Sequence, residues 1–111
     1  MNINTYQKLA ARTINKELAD HEIRRHALFG MCSELGEVHS LYQREYQGDT
    51  FDDEEVVKEL GDLMWFVAEL ATSLGASLDD ICSKNIEKLL KRYPDGFDEY
   101  RSANRHSFGE D

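Results

Sequence analysis

The sequence predicts an all-α chain, a four-helix, bundle-like fold built on a long antiparallel central hairpin and completed by oligomerisation. Three observations carry this. Apolar residues recur at helical spacing through most of the chain, and no stretch of useful length alternates as a strand would. The breaks between those runs are short and carry turn or capping residues. The two longest runs flank Gly48 and bear acidic motifs that echo each other, Glu34-Leu35-Gly36-Glu37 and Glu59-Leu60-Gly61-Asp62.

Residues 4 to 18 place Tyr6, Leu9, Ala10, Thr13 and Ile14 at helical spacing, with Asn4 or Thr5 as the N-cap. Ala19-Asp20-His21 reads as a joint, and a second helix follows over 22–46. Its apolar stripe is Ala27, Met31, Leu35, Val38 and Tyr42. Gln47-Gly48-Asp49-Thr50 is the polar break. Asp52 or Asp53 then caps a third helix whose first turn, with Glu54 and Glu55, complements the positive helix end. That helix uses Val56, Leu60, Leu63, Val67, Leu70 and Leu74 and stops at Gly75, a residue suited to the left-handed position after a helix. Ser77 with Asp80 resembles a capping box for a fourth helix, which runs from Leu78 to Tyr93 and ends at Pro94. Residues 1–94 form the expected domain, and 95–111 a polar C-terminal tail.

At 111 residues the chain has room for one core. Thirteen basic against 22 acidic residues give a formal charge of −9, which excludes a nucleic-acid polymer as partner, since phosphate binding needs a basic footprint. The longest wholly apolar run, Leu63 to Ala68, is far too short to span a membrane. Met1-Asn2-Ile3-Asn4 has no charged, then apolar, leader pattern, so a cytoplasmic protein is expected. Cys32 and Cys82 fall inside helical patterns without metal-ligand spacing and read as buried, reduced thiols.

The acidic motifs carry the chemistry. Acids three apart on a helix project about 60° from each other, on one side. Gly48 lies midway between Glu34 and Asp62, and also midway between Glu37 and Glu59. A hairpin folded there brings Glu34 level with Asp62 and Glu37 level with Glu59. On 100° per residue both pairs border the apolar stripes, about 100° from their centres. Two carboxylates about 5 Å apart repel by roughly 3 kcal/mol at an effective dielectric near 20. No Lys or Arg within the motifs neutralises them, and Lys58 points elsewhere. A hard divalent cation, Mg²⁺ or in its place Mn²⁺, is the expected remedy for an oxygen-only ligand set. A single ExxE is ordinary solvated surface; two in register across a turn are not. Gly36 and Gly61, each in a helix interior, point away from the acids and suit close approach of another helix.

Gly30-x-x-x-Glu34-Leu35-Gly36-Glu37, followed by Glu59-Leu60-Gly61-Asp62-x-x-Trp65, resembles the MazG-like, all-α nucleoside triphosphate pyrophosphohydrolases. Tyr6-Gln7 and Asn85-x-x-Lys88-Leu89-x-x-Arg92-Tyr93 extend the likeness over residues 5 to 93. The resemblance implies that Glu34, Glu37, Glu59 and Asp62 hold Mg²⁺. It further implies hydrolysis of a nucleoside triphosphate to the monophosphate and pyrophosphate, with Glu37 or Glu59 as the base for water. Asn85, Lys88 and Arg92 are the residues expected to meet the substrate's phosphates. Phe66, one turn past Asp62 in the direction of the acids, is the candidate to stack on the base. Trp65 is read as a packing residue or an oligomer contact, Phe29, Tyr42, Tyr46 and Phe51 as core and turn packing, and His26 and His39 as surface or boundary residues. Long second and third helices leave apolar surface over, so a homo-oligomer, dimer or tetramer, is expected. The competing reading is a non-catalytic acidic helical module that binds a partner. A di-iron bundle is set aside because it needs a Glu-x-x-His pair, which is absent.

Overall fold

The computed structural model describes residues 1–108 and divides into two compact units, residues 1–77 and residues 78 onward. Its described residues form five α-helices and a 3₁₀ turn, with no strand among them, so the all-α expectation holds.

The first unit consists of α1 (Ile3–Ala11), α2 (Asp20–Tyr46) and α3 (Asp53–Ser73). Asn2, not Asn4 or Thr5, caps α1, its side-chain oxygen accepting the Thr5 N–H at 2.8 Å. The helix also stops well short of residue 18. The Thr13 hydroxyl donates to the Ala10 carbonyl at 2.7 Å, and the Asn15 side chain accepts the Glu17 N–H at 3.0 Å. Side-chain bonds of this kind compete with the next helical turn, and here they replace it. α1 is fastened to α3 by Gln7, whose amide donates to the Thr72 hydroxyl at 3.1 Å and the Ala76 carbonyl at 2.9 Å. Trp65 Nε1 reaches the Thr13 hydroxyl at 2.8 Å, which makes it the packing residue the sequence suggests.

Between α2 and α3 the chain turns at Gly48, whose φ of 104° suits a residue without a β-carbon. Asp52 opens α3 by accepting the Glu54 N–H at 3.1 Å, while Glu55 reaches back to the Asp52 N–H at 3.3 Å. Gly75, at φ 69°, follows the end of α3. The register is the one the acidic motifs imply. Arg24 donates to the Ser73 carbonyl at 2.9 Å, His26 meets Glu69, Gly30 lies against Phe66, and Tyr42 meets Phe51 edge-on at 4.9 Å. Each of these pairs straddles Gly48 to within two residues. A β-carbon on Gly30 would overlap one edge of the Phe66 ring, so this glycine is what lets that ring lie across the seam.

The buried apolar side chains of this unit are few and small: Ala10, Ile23, Ala27, Leu41, Ala68 and Ala71. Of the stripe expected on the second helix, Ala27 is buried, but Leu35 and Tyr42 are 59% and 50% exposed. Phe29 and Tyr46 are likewise open, against the expectation that they pack in the core or turn. The seam runs instead along Ile23, Ala27, Gly30, Glu34 and Leu41, which share one side of a 3.6-residue helix. Hydrophobic periodicity locates an apolar stripe without saying whether the same chain covers it.

The second unit begins with α4 (Leu78–Arg92), which stops before Pro94 as expected. The chain then turns at Gly96, φ 98°, into α5 (Glu99–Ala103) and a 3₁₀ turn (Arg105–Phe108). Asp98 caps α5 by accepting the Arg101 N–H at 3.0 Å. The Arg101 guanidinium donates to the Lys91 and Arg92 carbonyls at 3.1 and 3.4 Å, satisfying the end of α4 with a cation at its negative pole. Tyr93 lies against Phe97, with centroids 5.6 Å apart. No described helix is long and apolar enough to cross a membrane.

Candidate metal centre

α2 carries Glu34 and Glu37 on the flank that meets α3, and α3 answers with Glu59 and Asp62. Glu34, Glu59 and Asp62 each bring a carboxylate oxygen within 4.8 Å of the other two. At that distance each charged pair repels by about 1 to 3.5 kcal/mol, depending on how far water screens it. Glu34 relieves part of this by holding a proton. Its carboxyl is pushed up to about 7, first by hydrogen bonding with Glu59, then by desolvation and by the charges of Glu59, Asp62 and Glu37. Asp62 also acts on α1, where the Tyr6 phenol is raised by burial and, next, by that carboxylate.

Glu37 stands outside the group of three. It lines a cavity of about 300 Å³ with Leu41, Arg44, Glu55, Lys58 and Glu59. Lys58 therefore does not point away from the motifs, as the helical angle suggests; it shares this cavity with Glu37 and Glu59, and Arg44 joins it from α2. The acids do not merely border the core either. Glu34 and Glu59 are part-buried in the seam itself, while Asp62 and Glu37 are exposed at its mouth. The donor set fits a hard divalent ion: carboxylate oxygens from two rigid helices, no His or Cys among them, and an excess of negative charge that otherwise draws a proton.

One turn beyond Asp62, Phe66 lies part-buried over Gly30 among other rings. Its centroid is 5.1 Å from Trp65 and 5.6 Å from His26. His26 is not an idle surface residue. Its Nδ1 lies 2.8 and 3.0 Å from the two oxygens of Glu69, a carboxylate only 2% exposed. A buried carboxylate needs such a partner. The sequence held the signal for this pair, because His26 and Glu69 straddle Gly48 as the acidic motifs do.

In the second unit, Asn85 and Lys88 are exposed on α4. Arg92 is part-buried, its guanidinium 5.3 Å from the centre of the Tyr93 ring. The Tyr93 phenol is lowered by hydrogen bonds from Ser102 and then Arg92. Cys32 and Cys82 are free thiols, but both are exposed where burial was expected. Gly36 and Gly61 meet no close neighbour either; among the described residues nothing lies within 4 Å of where their β-carbons would stand, and neither α1 nor the facing helix of the hairpin makes the close approach expected there.

A family model described as the MazG nucleotide pyrophosphohydrolase domain matches residues 10–97. No curated protein and no solved structure matches the chain.

Proposed function

The chain belongs to the MazG nucleotide pyrophosphohydrolase domain family, and we propose that it hydrolyses nucleoside or deoxynucleoside triphosphates to the monophosphate and pyrophosphate. The observation that carries this is the seam of carboxylates, three of them within 4.8 Å, one so crowded that it keeps a proton near pH 7. Such a group is poorly suited to bind a polyphosphate directly and well suited to do so through a cation. Glu34, Glu37, Glu59 and Asp62 would hold Mg²⁺, or Mn²⁺ in its place. The ion supplies charge neutralisation and polarisation of the phosphoryl oxygens.

The remaining work falls to the chain. Glu37 or Glu59, whichever keeps a free oxygen, accepts the proton of the water that attacks the α-phosphorus. Phe66, whose ring is fixed by Gly30 beneath it, offers a flat surface for the base on the side of the acids away from Gly48. Asn85, Lys88 and Arg92 are assigned to the substrate's phosphate oxygens. A homo-oligomer, dimer or tetramer, is assigned on the exposed Leu28, Phe29, Leu35, Leu60 and Met64, and the site of action is the cytoplasm.

Incubation of the purified protein with a panel of nucleotides, with and without Mg²⁺, tests the reading. Metal-dependent release of pyrophosphate and monophosphate is the expected result. Orthophosphate as the product, or no turnover of any nucleotide, would leave the acidic helices as a partner-binding module.

A further inference from the structure

Among the described residues, the cavity beside the acids contains two cations without a side-chain partner. Arg44 from α2 and Lys58 from α3 line it together with Glu37, Leu41, Glu55 and Glu59, in about 300 Å³. Carboxylates are close at hand: Glu54 and Glu55 precede Lys58 by one helical turn. Yet among the described residues neither Arg44 nor Lys58 makes an ion pair within 4.0 Å or a side-chain hydrogen bond. Two of their acidic neighbours are occupied otherwise. Glu55 is turned back on the Asp52 N–H at 3.3 Å, and Glu59 is hydrogen-bonded to Glu34. Leu41, 7% exposed, gives the cavity an apolar floor.

The groove of the hairpin is therefore polarised along its length. Toward the free ends of α2 and α3 the acids give way to the rings of Phe66, Trp65 and His26. Toward Gly48 they give way to Arg44 and Lys58. A nucleoside triphosphate has the same polarity, an aromatic base at one end and its most charged groups at the other. We propose that the cavity between Glu37, Arg44 and Lys58 is the subsite for the β- and γ-phosphates, and that these two cations receive the leaving pyrophosphate. This rests on the hydrolase reading above.

In the step concerned, water oxygen bonds to the α-phosphorus and the bond from that phosphorus to the α,β-bridging oxygen breaks. The electron pair stays on the bridging oxygen and leaves with pyrophosphate, and the water proton goes to a carboxylate of the seam. Negative charge thus grows on the group lying between Arg44 and Lys58, where the two cations favour the transition state over the bound substrate. Arg44 can meet two phosphate oxygens at once through its planar fork; Lys58 acts as a point charge.

The test uses inorganic pyrophosphate in Mg²⁺ as the probe, by calorimetry and as an inhibitor of nucleotide turnover. The double variant Arg44→Gln/Lys58→Gln is expected to bind pyrophosphate at least tenfold more weakly and to lose at least tenfold in kcat. Its thermal stabilisation by Mg²⁺ alone should match the wild type, which separates a phosphate subsite from damage to the carboxylates. An Arg12→Gln/Lys16→Gln control removes the same charge outside the cavity and should change neither property. Unchanged pyrophosphate affinity and kcat in the double variant would overturn the proposal while leaving the hydrolase intact. If the wild type turns over no nucleotide, but pyrophosphate binding still depends on Arg44 and Lys58, the cavity stands as a phosphate-binding site, while the hydrolase reading and the leaving-group role fall together.

Discussion

Replacing Glu34 by glutamine should stabilise the metal-free protein at alkaline pH and leave it unchanged in acid. The folded chain holds the Glu34 proton up to about pH 7, against an ordinary value of 4.5. Folding thus favours the protonated form. The crowding costs nothing below about pH 4.5, grows as the pH rises, and is fully felt above 7. That gap corresponds to at most about 3.4 kcal/mol. Glu34 is only part-buried, so solvent and salt reduce the cost to about 1–2 kcal/mol. For a chain of this length the variant should melt about 4–8 °C above the wild type at pH 8 in chelator, and level with it at pH 4.5. Mg²⁺ should reverse the order at pH 8, raising the wild type and scarcely affecting the variant. The measurement is a thermal melt followed by circular dichroism at the two pH values, with chelator or with Mg²⁺. A variant that melts below the wild type at pH 8 in chelator would refute the reasoning, because the carboxylates would then be holding each other rather than awaiting a cation.

Glu37→Gln should abolish pyrophosphate release, by at least about a hundredfold, while melting changes little, as activity and melts on the same preparation would establish. His26→Ala strands the Glu69 carboxylate in the seam and should cost about 2–3 kcal/mol in urea unfolding, discounted because the His26 ring is half exposed. Glu69→Gln, which keeps a hydrogen-bonding partner without the buried charge, should cost less; equal losses would argue against a charged pair. Gly30→Ala gains up to about 1 kcal/mol of helix propensity but drives a β-carbon into the Phe66 ring, an overpacking worth about 1–3 kcal/mol, so a net loss in chemical denaturation is expected. Phe66→Leu in the same chain should restore part of it.

Much of this is legible in the amino-acid sequence alone. The helical class, the turn at Gly48, the cap at Asp52, the stop at Gly75 and the break at Pro94 all follow from local chemistry: backbone freedom, missing donors, and side chains that satisfy orphan amides. The register came from symmetry, since a hairpin has one midpoint and the acidic pairs share it. The same midpoint pairs His26 with Glu69 and Gly30 with Phe66, although neither residue type announces it alone. What the tertiary structure decided is rotation and reach. α2 carries an apolar side through Leu35 and Tyr42 and a seam through Ile23, Glu34 and Leu41; only the docking of α3 selects the second. That choice puts Glu34 inside the seam, lifts its acidity, and swings Lys58 and Arg44 into one cavity with Glu37. Periodicity is a property of one helix, whereas burial, proton affinity and shared cavities belong to pairs of helices. No single stretch of sequence contains them.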